Sequence, residues 1–308
     1  MRKISLSILL ILLSVFVLSC KNKKRIHESD LYLGQKPPGT SPEVFSPGII
    51  SANEKNHSCV AISSDGREAY WSLFSTISGV RQERIWTSIL EEGVWTKTRL
   101  VPFSSDYREG GPRFSPDGRR LYFTSCRPFD NTDESGDANI WFVERERGGW
   151  GPPEALEFPV NTEYQEWNPS IAANGNIYYM YRIDSEPWDI YCAEFNDGKY
   201  SVPYRLSNAV NSPFVDGFCF ISPDESYLYF YSERPGGCTE YGELYISYRT
   251  DDGEWSEALN MGSDINFSMT RFPGLSPDGR YFFFSSVKEN LEPIYWVDAK
   301  IIKDLGRN

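Results

Sequence analysis

After residue 40 the hydrophobic positions fall in short runs separated by polar turns, with no 3.6-residue period. Phe114-Ser115-Pro116-Asp117-Gly118 leads into Leu121-Tyr122-Phe123-Thr124-Ser125, and the order returns as Leu275-Ser276-Pro277-Asp278-Gly279 before Tyr281-Phe282-Phe283-Phe284-Ser285. Fainter copies are Ile62-Ser63-Ser64-Asp65-Gly66, Ile171-Ala172-Ala173-Asn174-Gly175 and Ile221-Ser222-Pro223-Asp224-Glu225, each before an aromatic-rich run. The five copies repeat every 53 residues or so, roughly the length of one propeller blade. Pro presets φ at the first corner, Asp or Asn bonds the local backbone and Gly takes positive φ, which closes a hairpin. Glu225 lacks glycine's freedom, so the fourth turn is expected to be strained.

A second hairpin follows each first one. Trp86 and Trp95, Trp141 and Trp150, Tyr191 and Tyr200, and Tyr245 and Trp255 recur at nearly constant spacing, the later aromatic following a glycine turn. Four short strands per unit and five units predict an all-β chain folded as a five-bladed β-propeller. The fifth unit ends after Ile294-Tyr295-Trp296 without its glycine-aromatic pair, while Pro42-Glu43-Val44-Phe45 precedes the first unit. That stretch is expected to supply the missing outer strand of blade five and close the ring.

Composition narrows the partners. Aromatic residues make up 15% and charged residues 24%, which excludes a disordered chain, and the net charge of -12 disfavours nucleic acid. Five cysteines lie in the body, Cys59, Cys126, Cys192, Cys219 and Cys238, with no CxxC or Cys/His cluster. Isolated buried thiols are expected, rather than a disulfide framework or a zinc site.

Arg2 and Lys3 precede an apolar run from Ile4 to Ser19, too short for an untilted membrane span and suited to an export signal. Val17-Leu18-Ser19-Cys20 resembles the bacterial lipobox, which implies lipidation of Cys20; ordinary secretion or a retained anchor are the alternatives. Residues 1–19 then form the signal peptide, 20–40 a basic tether against the membrane, and 41–308 the propeller. Lys21 directly after the cysteine resembles lipoproteins sent to the outer membrane.

The Ser-Pro-Asp-Gly turn before an aromatic strand resembles the WD-like repeat of TolB-type propellers. Asn161, Glu166, Pro169 and Asp189-Ile190-Tyr191, with Ser232-Glu233-Arg234-Pro235-Gly236-Gly237 and Leu259-Asn260, are similar to repeats in envelope proteins of Bacteroidetes-like bacteria. The resemblance covers residues 42–300 and is specific for fold. It implies an envelope protein, although many such relatives carry a peptidoglycan-binding domain after the propeller.

Six residues before each first turn stand His57, Glu109, Glu166, Asp216 and Thr270, and next to them Ser58, Gly110, Trp167, Gly217 and Arg271. In a propeller these columns ring one mouth of the channel, so His57, Glu109, Glu166, Trp167, Asp216 and Arg271 are candidate ligand-binding residues. The competing reading has the acids bonding backbone as part of the repeat, with Trp167 exposed because it breaks the pattern. No nucleophile elbow, phosphate loop or HExxH helix occurs, so no catalytic residue is assigned. Asp130 to Asp137 is rich in oxygen ligands but departs from calcium-loop spacing, so no cofactor is expected, with calcium a weak option. The expected function is non-catalytic binding of an envelope protein or glycan; the alternative is a carbohydrate-active enzyme, hydrolase or lyase, using Glu109, Glu166 and Asp216.

Overall fold

A computed structural model describes residues 27–51, 56–77, 80–129, 136–302 and 305. The expected signal peptide, Cys20, Lys21 and the acidic stretch Asp130 to Ser135 lie outside them.

Five antiparallel sheets form the five blades. Their innermost strands are Asn56–Ile62, Glu109–Phe114, Gln165–Ile171, Asp216–Ile221 and Thr270–Leu275. Each touches the next around the ring, and the last touches the first. Blade five is completed by Glu43–Val44, which pairs with the strand Ile294–Asp298 through Glu43 to Trp296 and Val44 to Tyr295. The ends of the chain therefore close the ring as the sequence predicts.

The repeat turns work through the chemistry of their residues. Ser115 Oγ donates to Asp117 at 2.6 Å, Asp117 accepts from the Arg119 amide at 3.0 Å, and Gly118 takes φ of 70°. In the fourth turn Glu225 adopts φ of 57°, the strain expected of a side chain in a glycine position.

The core lies between the blades as five separate apolar layers. Aromatics of the glycine turns reach across these layers: Trp150 Nε1 donates to Tyr70 OH at 2.8 Å, and Trp255 meets Tyr178 edge-on with ring centroids 6.4 Å apart. Because these aromatics turn into the preceding blade, the outer strands begin later than the sequence spacing suggests. They are Arg99–Leu100, Glu154–Ala155, Tyr204–Arg205 and Leu259–Asn260. Buried Asn161, Asn211 and Asn266 bond both amide and carbonyl of Ile140, Ile190 and Leu244, fixing the incoming loop to the third strand of each blade.

The segment expected as tether is docked from His27 onward. Tyr32 and Leu33 are buried against Trp95, Tyr281 and Trp296 between blades one and five. Trp95 Nε1 donates to Asp30 O at 2.7 Å, and Arg280 pairs with Glu28 at 2.5 Å. No helix among the described residues is long and apolar enough to cross a membrane.

Three cysteines, Cys59, Cys192 and Cys219, are buried free thiols, but Cys126 is half-buried and Cys238 exposed, which corrects the expectation that all five are buried. Cys238 lies in the loop before Glu243–Tyr248, whereas Cys192 and Cys219 sit in the layer between blades three and four and Cys59 on the innermost strand of blade one.

Candidate functional site

Every innermost strand carries a bulge at the same place, between His57 and Val60, Gly110 and Arg113, Trp167 and Ser170, Gly217 and Phe220, and Arg271 and Gly274. An extra residue unpaired at this point re-aims the strand's start. Asn168, Phe218 and Phe272 accordingly sit at φ of 53°, 44° and 55°, conformations costly for side chains of this size. These bulges ring the upper mouth, the end of the channel at which the innermost strands begin.

A cavity of about 620 Å³ opens there, within the range of small-molecule sites. Its walls carry Arg108, Arg182 and Arg271, each guanidinium held against aromatic rings. Arg108 lies 4.1 Å from the Trp167 ring centroid, Arg182 4.6 Å from Trp188, and Arg271 5.4 Å from Phe272. Two have buried counter-ions: Glu83 stands 3.4 Å from Arg108, and Glu292 receives Arg271 through two bonds of 2.9 and 2.5 Å. Burial pushes the Glu83 carboxyl up despite Arg108 and the Ser58 hydroxyl at 2.9 Å. Glu83 fits because Gly110 lies beneath it, where a Cβ would collide with the carboxylate. Farther down the channel Arg113 reaches from blade two to the Pro273 carbonyl of blade five at 2.7 Å.

The structure separates the candidate residues into two groups. Trp167 and Arg271 line the cavity. His57, Glu109, Glu166 and Asp216 have no exposure and lie outside its lining. Glu109 accepts from Ser105 Oγ at 2.6 Å, from Ser104 Oγ at 3.1 Å and from Arg127. Asp216 accepts from Ser212 N at 2.6 Å and from Arg234 at 3.1 Å. Both acids clamp their incoming loop to the second strand's end. Glu166 accepts from Thr162 Oγ1 at 2.6 Å but has no arginine, and its Oε2 is buried without a partner. Desolvation by burial moves its pKa up to about 8, with a smaller push from Asp137.

Trp167 is only 8% exposed, which corrects the expectation of an open indole: the bulge turns it to the wall and Arg108 covers its face. Sequence reasoning missed Glu83, Arg108, Arg182, Trp188 and Glu233 on the cavity wall. One signal was present. Arg127 and Arg234 follow Ser125 and Ser232 by two residues, whereas blade three has Arg182 directly after Tyr181, on the strand face that turns to the cavity. Among the described residues no group of three or more His, Cys, Asp or Glu side chains is placed to hold a metal ion.

No family model matches the chain. An uncharacterised curated protein of Agrobacterium fabrum is 27% identical over 129 residues, spanning 39% of this chain and only 38% of that protein. Among solved structures, a TolB-type protein of Agrobacterium tumefaciens superposes with a TM-score of 0.53 at 18% identity, covering 85% of this chain and 86% of its own. A thermostable family-43 glycoside hydrolase reaches the same TM-score of 0.53 at 14% identity over 80% of this chain and 89% of that one. At such identities the likeness is one of fold alone, and it does not separate the two kinds of protein.

Proposed function

We propose that this protein is a non-catalytic binding module of the bacterial cell envelope, held to the membrane through a lipid on Cys20, most simply at the outer membrane. Its partner is an envelope protein or glycan seated in the upper-mouth cavity. The supporting observation is where the repeat breaks: Trp167, Arg182 and Arg271, each unlike its counterparts in the other blades, converge on this one cavity. A fold that repeats its turn five times and its structural acid in three of the five blades has no packing reason to gather its exceptions at one mouth. Calorimetry of the protein against envelope glycans and candidate envelope proteins tests the reading. Binding weakened at least tenfold by Trp188→Ala is expected, and binding indifferent to that change places the partner elsewhere.

A second reading, a carbohydrate-active enzyme using Glu109, Glu166 and Asp216, is favoured by one observation, the Glu166 carboxyl kept protonated near neutrality. The commitment of Glu109 and Asp216 to arginines and loop hydroxyls argues against it. Glycan turnover abolished by Glu166→Gln with folding intact would establish it.

A further inference from the structure

The three arginines of the cavity differ in what neutralises them. Arg108 has Glu83 and Arg271 has Glu292, so a ligand meeting either competes with a carboxylate already in place. Arg182 has neither. Among the described residues it forms no ion pair, and its Nε is buried without an acceptor while its guanidinium rests on Trp188. A buried donor left unpaired costs free energy until something in the site supplies an acceptor. Its origin is legible in the strand register: Arg182 lies opposite Gln165, and Tyr181 lies opposite Glu166. Blade three thus lacks the pair that Arg127 makes with Glu109 and Arg234 makes with Asp216, and its arginine lines the cavity instead.

Resting on the reading of this cavity as the binding site, we propose that Arg182 anchors the carboxylate of a small monocarboxylate ligand whose ring or chain lies along Trp188, Phe218 and Phe272. A guanidinium fork matches a carboxylate through two parallel bonds, and its seat on an indole presents the donor edge at little entropic cost. Among the described residues Arg182 is the one of these three arginines without a paired carboxylate, so it offers a place for one negative charge on the ligand. Glu83 and Glu292 already answer the other two arginines, and Glu233 adds a carboxylate to the wall, held as an acceptor by Tyr231 OH at 2.8 Å. A second negative charge on the ligand would find no further unpaired arginine among these three and would face Glu233. Glu233, with Gln165 and Asn168 on the same wall, offers acceptors and donors to hydroxyl groups of a sugar acid.

The test compares each acid with its uncharged amide, glucuronate with glucuronamide and benzoate with benzamide, by calorimetry on the wild type, Arg182→Gln and Arg182→Lys. The first pair reports a hydroxylated ring, the second an aromatic one, and inorganic phosphate is titrated beside them. At least one acid is expected to bind tenfold or more tighter than its amide and tighter than phosphate. That preference should vanish in Arg182→Gln and shrink in Arg182→Lys, with both variants folded because Arg182 forms no ion pair among the described residues. Equal binding of acid and amide, or a preference surviving Arg182→Gln, overturns the proposal. Partner binding lost in Trp188→Ala yet blind to Arg182 removes this inference and leaves the proposed function standing; no binding at the cavity by any acid or partner removes both.

Discussion

Arg182 lies one residue past the position facing Glu166, and that single step leaves the carboxyl without the guanidinium its counterparts have. Glu109 and Asp216, at the same point of their blades, are paired with Arg127 and Arg234 two residues past the facing serines. Along a strand a shift of one residue reverses the face. The result is an acid inside the blade whose pKa burial raises to about 8 and, among the described residues, a cation in the cavity with no ion pair.

The Glu166 carboxyl gives the protein a pH-dependent stability with a definite sign. Its folded pKa is raised to about 8 from the ordinary value of 4.5, so the folded state holds a proton that the unfolded state has lost between those values. Stability from this group is full below pH 4.5 and declines toward pH 8, at up to about 1.4 kcal/mol per pH unit. Urea midpoints measured across that window should decline less steeply for Glu166→Gln than for the wild type. Parallel slopes would show that Glu166 is ionised in the folded protein.

Amide substitution of the two paired acids should cost more than that of Glu166. Glu109→Gln leaves Arg127 buried without its carboxylate, and Asp216→Asn does the same to Arg234. Removing one member of a buried pair costs about 3–5 kcal/mol. At pH 7 both variants are expected to unfold at clearly lower denaturant, whereas Glu166→Gln, replacing a carboxyl already mostly protonated, should stay within about 1 kcal/mol of wild type.

The blades were legible in the sequence because turns and aromatic runs are local signals. Asp117 and Gly118 do in space what their residue types require. The cavity was not legible, for three physical reasons. Glu83 comes from a blade-one hairpin whose strands, Glu68–Ile77 and Val80–Glu91, outrun the six-residue Arg120–Ser125 of blade two and carry it over Gly110. Trp167 was misjudged because a bulge, invisible in the residue pattern, re-aims it beneath Arg108. The candidate acids share a column, but that column faces the incoming loops, which supply Ser104, Thr162 and Ser212 as partners.

Glu225 sets strain against bonding. Its left-handed backbone costs about 1 kcal/mol relative to glycine. Its carboxylate, however, accepts from Asn174 Nδ2 at 2.7 Å, Asn176 Nδ2 at 3.0 Å and Tyr178 OH at 2.6 Å, tying blade four to blade three. Three such bonds at about 1 kcal/mol each outweigh the strain. Glu225→Gly is expected to lower stability by roughly 1–2 kcal/mol by equilibrium denaturation; a rise would mean that the backbone strain is the larger effect.

Thiol reactivity should follow burial. The pKa of Cys59 is pushed up to about 11 and that of Cys219 to about 12, both chiefly by desolvation, so neither presents thiolate at pH 8. Cys238 is exposed. Alkylation of the native protein followed by peptide mass spectrometry should mark Cys238 first and Cys126 more slowly, with Cys59, Cys192 and Cys219 modified only on unfolding. Early modification of Cys192 would show that the layer between blades three and four opens on its own.

The docked N-terminal segment divides into two parts with different duties. Residues 27–40 bring Tyr32 into an edge-on contact with Tyr281, ring centroids 5.2 Å apart, and place Tyr32 OH 3.3 Å from Asp278. Residues 43–45 supply the outer strand of blade five and Phe45, fully buried with its ring centroid 5.0 Å from those of Phe283 and Trp296. A chain beginning at residue 41 loses one buried aromatic and its neighbours, a cost of about 3–5 kcal/mol, and should stay folded in the same association state as the full chain. A chain beginning at residue 53 also bares the edge of Ile294–Asp298 and opens the ring. An unpaired edge beside an open apolar layer recruits other chains. Light scattering should therefore show association beyond that of the full chain for the second variant and not for the first. A second variant that associates no more than the full chain would mean that the ring is held by its inter-blade layers and not by the strand that closes it.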